Sequence, residues 1–172
     1  MDSKLRNRKS ADLSWSFLSL SEMSSQTFFN LARLRTDVFV VEQQCVYPEL
    51  DDYDADETTL HVLGYSANHE LLACARILFT DSTARQSSSQ QVRIGRVAVL
   101  QSHRGAGIAR QMMLQILQRV RIYSEEKRCQ LQIELSAQTY ATQFYESLGF
   151  ATISKEYMED GIEHVDMRLK SA

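Results

Sequence analysis

Apolar and polar positions alternate along some stretches of this chain and recur every third or fourth residue along others. The switch of period marks the elements. Leu13-Ser14-Trp15-Ser16-Phe17 alternates and predicts a first strand. Phe28, Leu31, Ala32, Leu34 and Val38 share one face of a helix that Ser24 or Ser25 can cap, and Phe39-Val40-Val41-Glu42-Gln43-Gln44 is expected to leave it. Residues 61–66 and 71–79 predict two strands joined by the polar turn Ala67-Asn68-His69-Glu70, and the Ser/Gln-rich run 80–91 predicts a surface loop. Val92, Ile94, Val97, Val99 and Leu100 crowd the next stretch into a strand. After it, Ile108, Met112, Ile116 and Val120 form a helical stripe thickened by Ala109, Met113 and Leu117. Leu131, Ile133, Leu135 and Ala137 alternate with Gln132, Glu134 and Ser136, a further strand. Residues 138–148 predict a helix stopped by Gly149, and 151–158 and 162–169 a hairpin turning on Asp160-Gly161. Seven strands and three principal helices result. Strand-to-helix units in the centre and hairpins at both ends predict an α/β fold, a central mixed, mostly antiparallel seven-stranded sheet flanked by helices.

Length makes this one domain, 12–172, behind a flexible tail at 1–11. A net charge of −3 speaks against nucleic acid as the main partner, and no apolar run reaches membrane-spanning length. Residues 1–10 lack the apolar core of a secretory signal, and the scattered Cys45, Cys74 and Cys129 have no metal-ligand spacing. Both features suit a protein of the reducing cytoplasm that uses no metal.

Candidate chemistry concentrates between the strand at 92–100 and the helix that follows. Gly105 and Gly107 leave backbone N–H groups unobstructed where a helix begins, and Arg104 adds a full positive charge beside the partial one of the helix dipole. Such a place binds phosphate. A P-loop would need Lys-Ser/Thr where Ile108-Ala109 stand. A dinucleotide fingerprint would need a small residue at Arg110 and an acid at the end of the next strand, and both are missing. The acid-rich run Glu49–Glu57 fails as a calcium loop, since Glu57 and Leu63 occupy the places of its glycine and its last glutamate. It reads either as a solvated loop or as a rim drawing a cationic amine.

Gln101-Ser-His-Arg104-Gly105-Ala106-Gly107-Ile108-Ala109 resembles the diphosphate loop of the GCN5-related N-acetyltransferases, (Q/R)-x-x-G-x-(G/A) before a helix, with Arg104 and Gly107 as anchors. Downstream, Gln138-x-x-Ala141-x-x-Phe144-Tyr145-x-x-Leu148-Gly149-Phe150 is similar to that family's N-x-x-A-x-x-F-Y-x-x-x-G-F, with Gln138 replacing Asn. Arg35-x-x-Val38-Phe39-Val40-Val41-Glu42-Gln43, Ala75-Arg76-Ile77-Leu78, Ile94-Gly95-Arg96-Val97 and Asp160-Gly161-Ile162-x-His164 resemble its ElaA-like branch.

The resemblance implies acetyl-coenzyme A as co-substrate and an amine of a small molecule or peptide as acceptor. It places the diphosphate on Arg104, Gly105, Ala106, Gly107, Ile108 and Ala109, with Gln138 and Tyr145 nearby. The pantetheine and the thioester carbonyl would fall along Val97, Ala98 and Val99, whose N–H groups supply an oxyanion donor. Tyr145 matches the family's general acid. A base must take the amine's proton, and the strand 92–100 holds no Glu, which leaves Glu42, His164 and His61. Arg76 and Arg96, in apolar strands, fit either a substrate anion or an internal ion pair. An acyl-coenzyme A sensor on the same fold is the alternative function, and a thioesterase lacks a nucleophile. Exposed terminal strands make a homodimer a possible assembly.

Overall fold

This computed structural model describes residues 13–45, 47–80 and 89–170. The expected tail at 1–11 and most of the expected loop at 80–91 lie outside the described residues. Among those residues one sheet contains β1 (Ser14–Leu18), β2 (Leu60–Tyr65), β3 (Leu71–Thr80), β4 (Ser89–Val99), β5 (Gln130–Gln138), β6 (Phe150–Thr152), β7 (Tyr157–Glu159) and β8 (Ile162–Leu169). The helices are α1 (Ser25–Arg35) with a π-helical continuation (Thr36–Glu42), α2 (Asp52–Ala55), α3 (Ile108–Lys127) and α4 (Thr142–Glu146). The sheet order is β1-β2-β3-β4-β5-β8-β6, with β7 beside β8. β4–β5 is the parallel pair in an otherwise antiparallel sheet. The count is eight strands where seven were expected, because the stretch 151–158 is interrupted. Ser154 accepts a hydrogen bond from the Asp166 N–H through its side chain (2.9 Å), so the chain bows away from β8 between β6 and β7.

Helices cover both faces of the middle of the sheet. Ile108, Met112, Met113, Ile116 and Val120 of α3 pack on one face, against Val62, Ala73, Ala75, Ile77, Val92, Ile94 and Leu135. Leu31, Leu34 and Val38 pack on the other, against Leu63, Leu71, Cys74 and Ala98. Burial on both sides explains why β3 reads as a nearly continuous apolar run. Ser24 caps α1, its hydroxyl accepting from Thr27 N–H at 3.0 Å. The helix does not end before Phe39 as expected. Its hydrogen bonding widens, Gln43 N–H reaching the Val38 carbonyl (3.2 Å), and residues 39–42 stay helical in a π turn, a form that recurs at functional sites. The expected helix at 138–148 is, by contrast, shorter, a 3-10 turn at Thr139–Ala141 leading into α4.

Arg35 interrupts the apolar face of α1 and is 1% exposed. It donates to Glu49 Oε1 (2.5 Å), the Glu49 carbonyl (2.7 Å), Asp54 Oδ1 (2.7 Å) and Asp54 Oδ2 (3.1 Å). Arg76 of β3 donates to Asp51 (2.5 and 3.0 Å) and Asp54 (2.8 Å). Arg96 of β4 lies 3.2 Å from Glu49 and 3.3 Å from Asp51. The acidic run divides: Asp52, Asp56 and Glu57 stay exposed, as a solvated loop would have them, and Glu49, Asp51 and Asp54 turn inward onto three arginines, because charges in apolar surroundings persist only when paired. Arg76 and Arg96, expected as candidates for holding a substrate anion, are engaged by carboxylates of the chain itself. The network ties the segment between α1 and β2 to two central strands. Burial favours the neutral carboxyl of Asp54, but the Arg35 guanidinium, with help from Asp51 N–H and Arg76, outweighs it and holds the pKa at about 2.

The folded pKa of Asp54 lies below that of the unfolded chain, so its contribution is complete above about pH 4 and disappears as the pH falls toward 2. The shift corresponds to about 2 kcal/mol. Asp54→Asn is expected to lower stability at neutral pH by about 3 kcal/mol and to flatten the acid limb of a stability–pH profile measured by urea unfolding. An acid limb as steep as that of the unaltered chain would contradict the assignment.

Candidate active site

β4 and β5 are paired from Ser89↔Gln130 to Ile94↔Leu135, and the ladder stops there although β4 runs on to Val99 and β5 to Gln138. The two strands part and open a crevice. On its other edge β4 stays bonded to β3, and Leu100 N–H donates to the Leu72 carbonyl (2.9 Å). The carbonyl of Val99 belongs to that same planar peptide unit and points the opposite way, into the crevice. It accepts from Arg104 Nε at 3.0 Å.

Beyond β4 a 3-10 turn (Gln101–His103) leads to Gly105 (φ 74°) and Gly107 (φ 80°), the residue that begins α3. The first bond of α3 is Gln111 N–H to the Gly107 carbonyl (3.0 Å), so the N–H groups of Ile108, Ala109 and Arg110 have no partner within the helix. No acid stands in this first turn, and a Cβ added to Gly107 would meet nothing within 4 Å. Open space, free donors and the positive end of a 20-residue helix fit a diphosphate.

Arg104 is not free to act on that diphosphate alone. Its two terminal nitrogens hold both carboxylate oxygens of Glu42 at 2.5 and 2.8 Å, and this hydrogen bonding raises the arginine pKa. Glu42 is thus tied to the phosphate loop, a poor situation for a base. Next to it Gln43 exchanges amide hydrogen bonds with Gln138 (3.2 and 3.4 Å), joining the π turn to the end of β5 across the crevice.

His164 stands opposite Gln138 in the β5–β8 register, so the two side chains share a face of the sheet. Its Nδ1 is 2.9 Å from the Ile162 carbonyl, which can only accept. Nδ1 therefore carries the proton and Nε2 keeps its lone pair. Tyr157 stacks on the imidazole (centroids 6.2 Å apart) and donates to Asp166 (3.0 Å), which also accepts from Ser136 (2.7 Å). His61 differs: it is 1% exposed, its Nε2 meets the Asp54 carbonyl (3.1 Å), and burial lowers its pKa. A sealed imidazole cannot reach an acceptor.

The Tyr145 ring packs edge-to-face on Phe144 (5.0 Å) and Phe150 (6.0 Å). Burial pushes its pKa well above the ordinary value, so the phenol keeps its proton. Among the described residues, the fully buried side-chain polar atoms without a hydrogen bond are His61 Nδ1, Arg76 Nε and Arg96 Nε. Tyr145 is 7% exposed, most of its ring enclosed by the core. Val97 is half-buried, and Ala98 and Val99 are buried in β4.

Sequence reasoning missed Gln43, Tyr157 and Asp166. A signal existed for the last two: the two-residue turn at Asp160-Gly161 puts Tyr157 opposite His164, and Asp166 lies two places along the same strand face.

Residues 32–171 match the family profile described as Acetyltransferase (GNAT) domain. Protein ElaA of Escherichia coli is 37% identical over 155 residues, covering 90% of this chain and 95% of that protein. A UPF0039 protein of Schizosaccharomyces pombe is 37% identical over 160 residues, covering 93% and 99%. The crystal structure of Escherichia coli ElaA superposes with a TM-score of 0.78 at 35% identity, over 92% of this chain and 99% of that one. That of an acyl-CoA N-acyltransferase from Pseudomonas aeruginosa gives 0.77 at 34%, with the same coverage. With an open helix start beside parted parallel strands, the chain belongs to the GCN5-related N-acetyltransferases, a family of acyl-coenzyme A-dependent acyltransferases, and within it to the ElaA-like branch.

Proposed function

We propose that the protein transfers an acetyl group from acetyl-coenzyme A to a primary amine of a small molecule or peptide, by direct attack in a ternary complex. The observation that carries this reading is the crevice itself: β4 leaves β5 at Ile94, and beyond the end of β4 the first N–H groups of α3 have no partner within the helix. The thioester supplies an activated carbonyl and a leaving thiolate. The start of α3, from Gly105 to Ala109, holds the diphosphate, and the crevice-facing peptide groups of Val97 to Val99 run beside the pantetheine. An N–H of that segment stabilises the oxyanion as the amine nitrogen bonds to the carbonyl carbon, worth a few kcal/mol of barrier.

His164 Nε2 accepts the proton that the amine must lose, either from the ammonium before attack or from the tetrahedral adduct after it. The carbonyl of Ile162 holds the imidazole in the needed tautomer. The carbon–sulfur bond then breaks and Tyr145 Oη gives its proton to the departing thiolate, regaining one from solvent. Glu42, paired with Arg104, serves the phosphate loop and leaves the base role to His164.

The reading is tested by thiol release from acetyl-coenzyme A with a panel of small amines, polyamines, amino sugars and peptides. A chain that binds the cofactor and releases no thiol with any amine is a sensor and not an enzyme. Tyr145→Phe is expected to lower kcat about tenfold or more with coenzyme A affinity nearly retained, and an unchanged kcat removes the acid role. His164→Ala should lower kcat about tenfold or more with coenzyme A affinity nearly retained, and an unchanged kcat assigns the base elsewhere. Gly107→Glu brings a negative charge and a φ that side chains avoid to the phosphate donors, and should weaken coenzyme A binding about tenfold or more by calorimetry. Undiminished affinity would refute the loop assignment.

A further inference from the structure

β4 contains a backbone conformation that its residue type disfavours. Arg96 has φ 52°, in the left-handed region, while the neighbouring Gly95 does not. Holding a side chain there costs about 1–2 kcal/mol, and such a residue persists only where its surroundings over-determine it. The register gives the setting. Arg76 pairs with Gly95 and Cys74 with Ala98, so Arg96 and Val97 together face Ala75 alone, a β-bulge with its extra residue in β4. It falls just beyond Ile94, where the ladder to β5 ends, and just before the crevice-facing segment.

The side chain of Arg96 is gripped from several directions. Its Nε lies 3.2 Å from Glu49 Oε1, and a terminal nitrogen lies 3.3 Å from Asp51 Oδ2 and 3.5 Å from the Glu49 carbonyl. The guanidinium sits over the ring of Tyr47, 5.4 Å from its centroid. Glu49 is itself fixed, by Arg35 at 2.5 Å and by the Tyr47 hydroxyl at 2.5 Å. On the backbone side, the Cys74 thiol approaches the Arg96 carbonyl at 3.8 Å.

We infer that Arg96 is a positioning residue for acyl transfer: its anchorage to Glu49, Asp51 and Tyr47 holds the β4 bulge, and the bulge turns the N–H groups of Val97 and Val99, which alternate with that of Ala98 on the β3 edge, toward the thioester oxygen. One extra residue changes which edge of the strand each following N–H faces, so without the bulge the donors of this segment would turn toward β3. An oxyanion donor works only within about 2.7–3.1 Å of the developing charge, and a displacement of about 1 Å costs on the order of a hundredfold in rate. The charged side chain takes no part in the chemistry. It fixes the strand that does. This inference rests on the acyl-transfer reading above.

Arg96→Met keeps the length and removes the charge, and Arg96→Lys restores a cation able to reach one carboxylate. Arg96→Met is expected to lose about tenfold or more in kcat while coenzyme A affinity, measured by calorimetry, stays within about twofold, and Arg96→Lys to recover part of the loss. A kcat for Arg96→Met within about twofold of the unaltered chain overturns the inference, as does an Arg96→Lys no faster than Arg96→Met at equal melting temperature. Should Arg96→Met fail to fold, Tyr47→Leu, at a half-buried position, takes its place. It should lower kcat about threefold or more at unchanged coenzyme A affinity, and an unchanged kcat overturns the inference. If the unaltered chain binds coenzyme A but acylates no amine, the acyl-transfer reading fails instead. The amide resonances of Val97 and Ala98 in Tyr47→Leu then decide about Arg96: displaced signals support its hold on the bulge, and unmoved ones overturn it.

Discussion

Peptide groups inside a protein need partners, and β4 past Ile94 has a strand on one side only. Each of the two parting strands is held by its outer neighbour, β4 by β3 through Ala73↔Val99 and β5 by β8 through Gln138↔His164. The ladder between them ends at Ile94, just before the bulge that gives β4 its extra residue. What remains is an edge of backbone donors and acceptors inside the sheet, which suits an extended ligand carrying amide groups of its own. Arg104 illustrates the demand. Its Nε reaches back across the turn to bond the Val99 carbonyl, which no strand satisfies.

The neighbouring ionic network serves geometry more than stability. Pulling three guanidinium groups and three carboxylates from water costs several kcal/mol per ion, and an apolar replacement of equal shape often does as well or better. Ion pairs have direction, however, and apolar contacts do not. Arg35 approaches Glu49 and Asp54 with four hydrogen bonds and leaves the segment before β2 one place to sit. The same carboxylates then meet Arg76 on β3 and Arg96 on β4. Helix α1, the 49–54 segment and the two strands are located relative to one another by charge, on the face opposite α3.

Tyr145 and His164 are set apart by environment. Burial keeps the Tyr145 phenol neutral, a state from which it can only give a proton. A carbonyl two residues away fixes the His164 tautomer, leaving one nitrogen able to take a proton. Glu42 and Arg104 bind each other across the mouth, so the wall made by the π turn and the loop that opens α3 are mechanically joined. Gln43 and Gln138 join that same wall to β5.

Local chemistry made much of this legible beforehand. Glycines at 105 and 107 before an apolar helical stripe, the Ser24 cap, the alternation of β5 and the Asp160-Gly161 turn each depend on neighbours a few residues apart, and all were readable from residue order. The strand–loop–helix unit and the second motif around Tyr145 belong with them. The inward turn of Glu49, Asp51 and Asp54 was not readable, because a string of acids looks the same whether it faces water or three arginines contributed by α1, β3 and β4. The π turn, the bulge at Arg96 and the pairing of Glu42 with Arg104 were hidden for the same reason. Residue order alone determined most of the strands and the two long helices, and which helix start has the glycines a phosphate site would need. Only the tertiary structure decided which charges meet and which lone pairs stay free, since those depend on contacts between residues as far apart as Gln43 and Gln138.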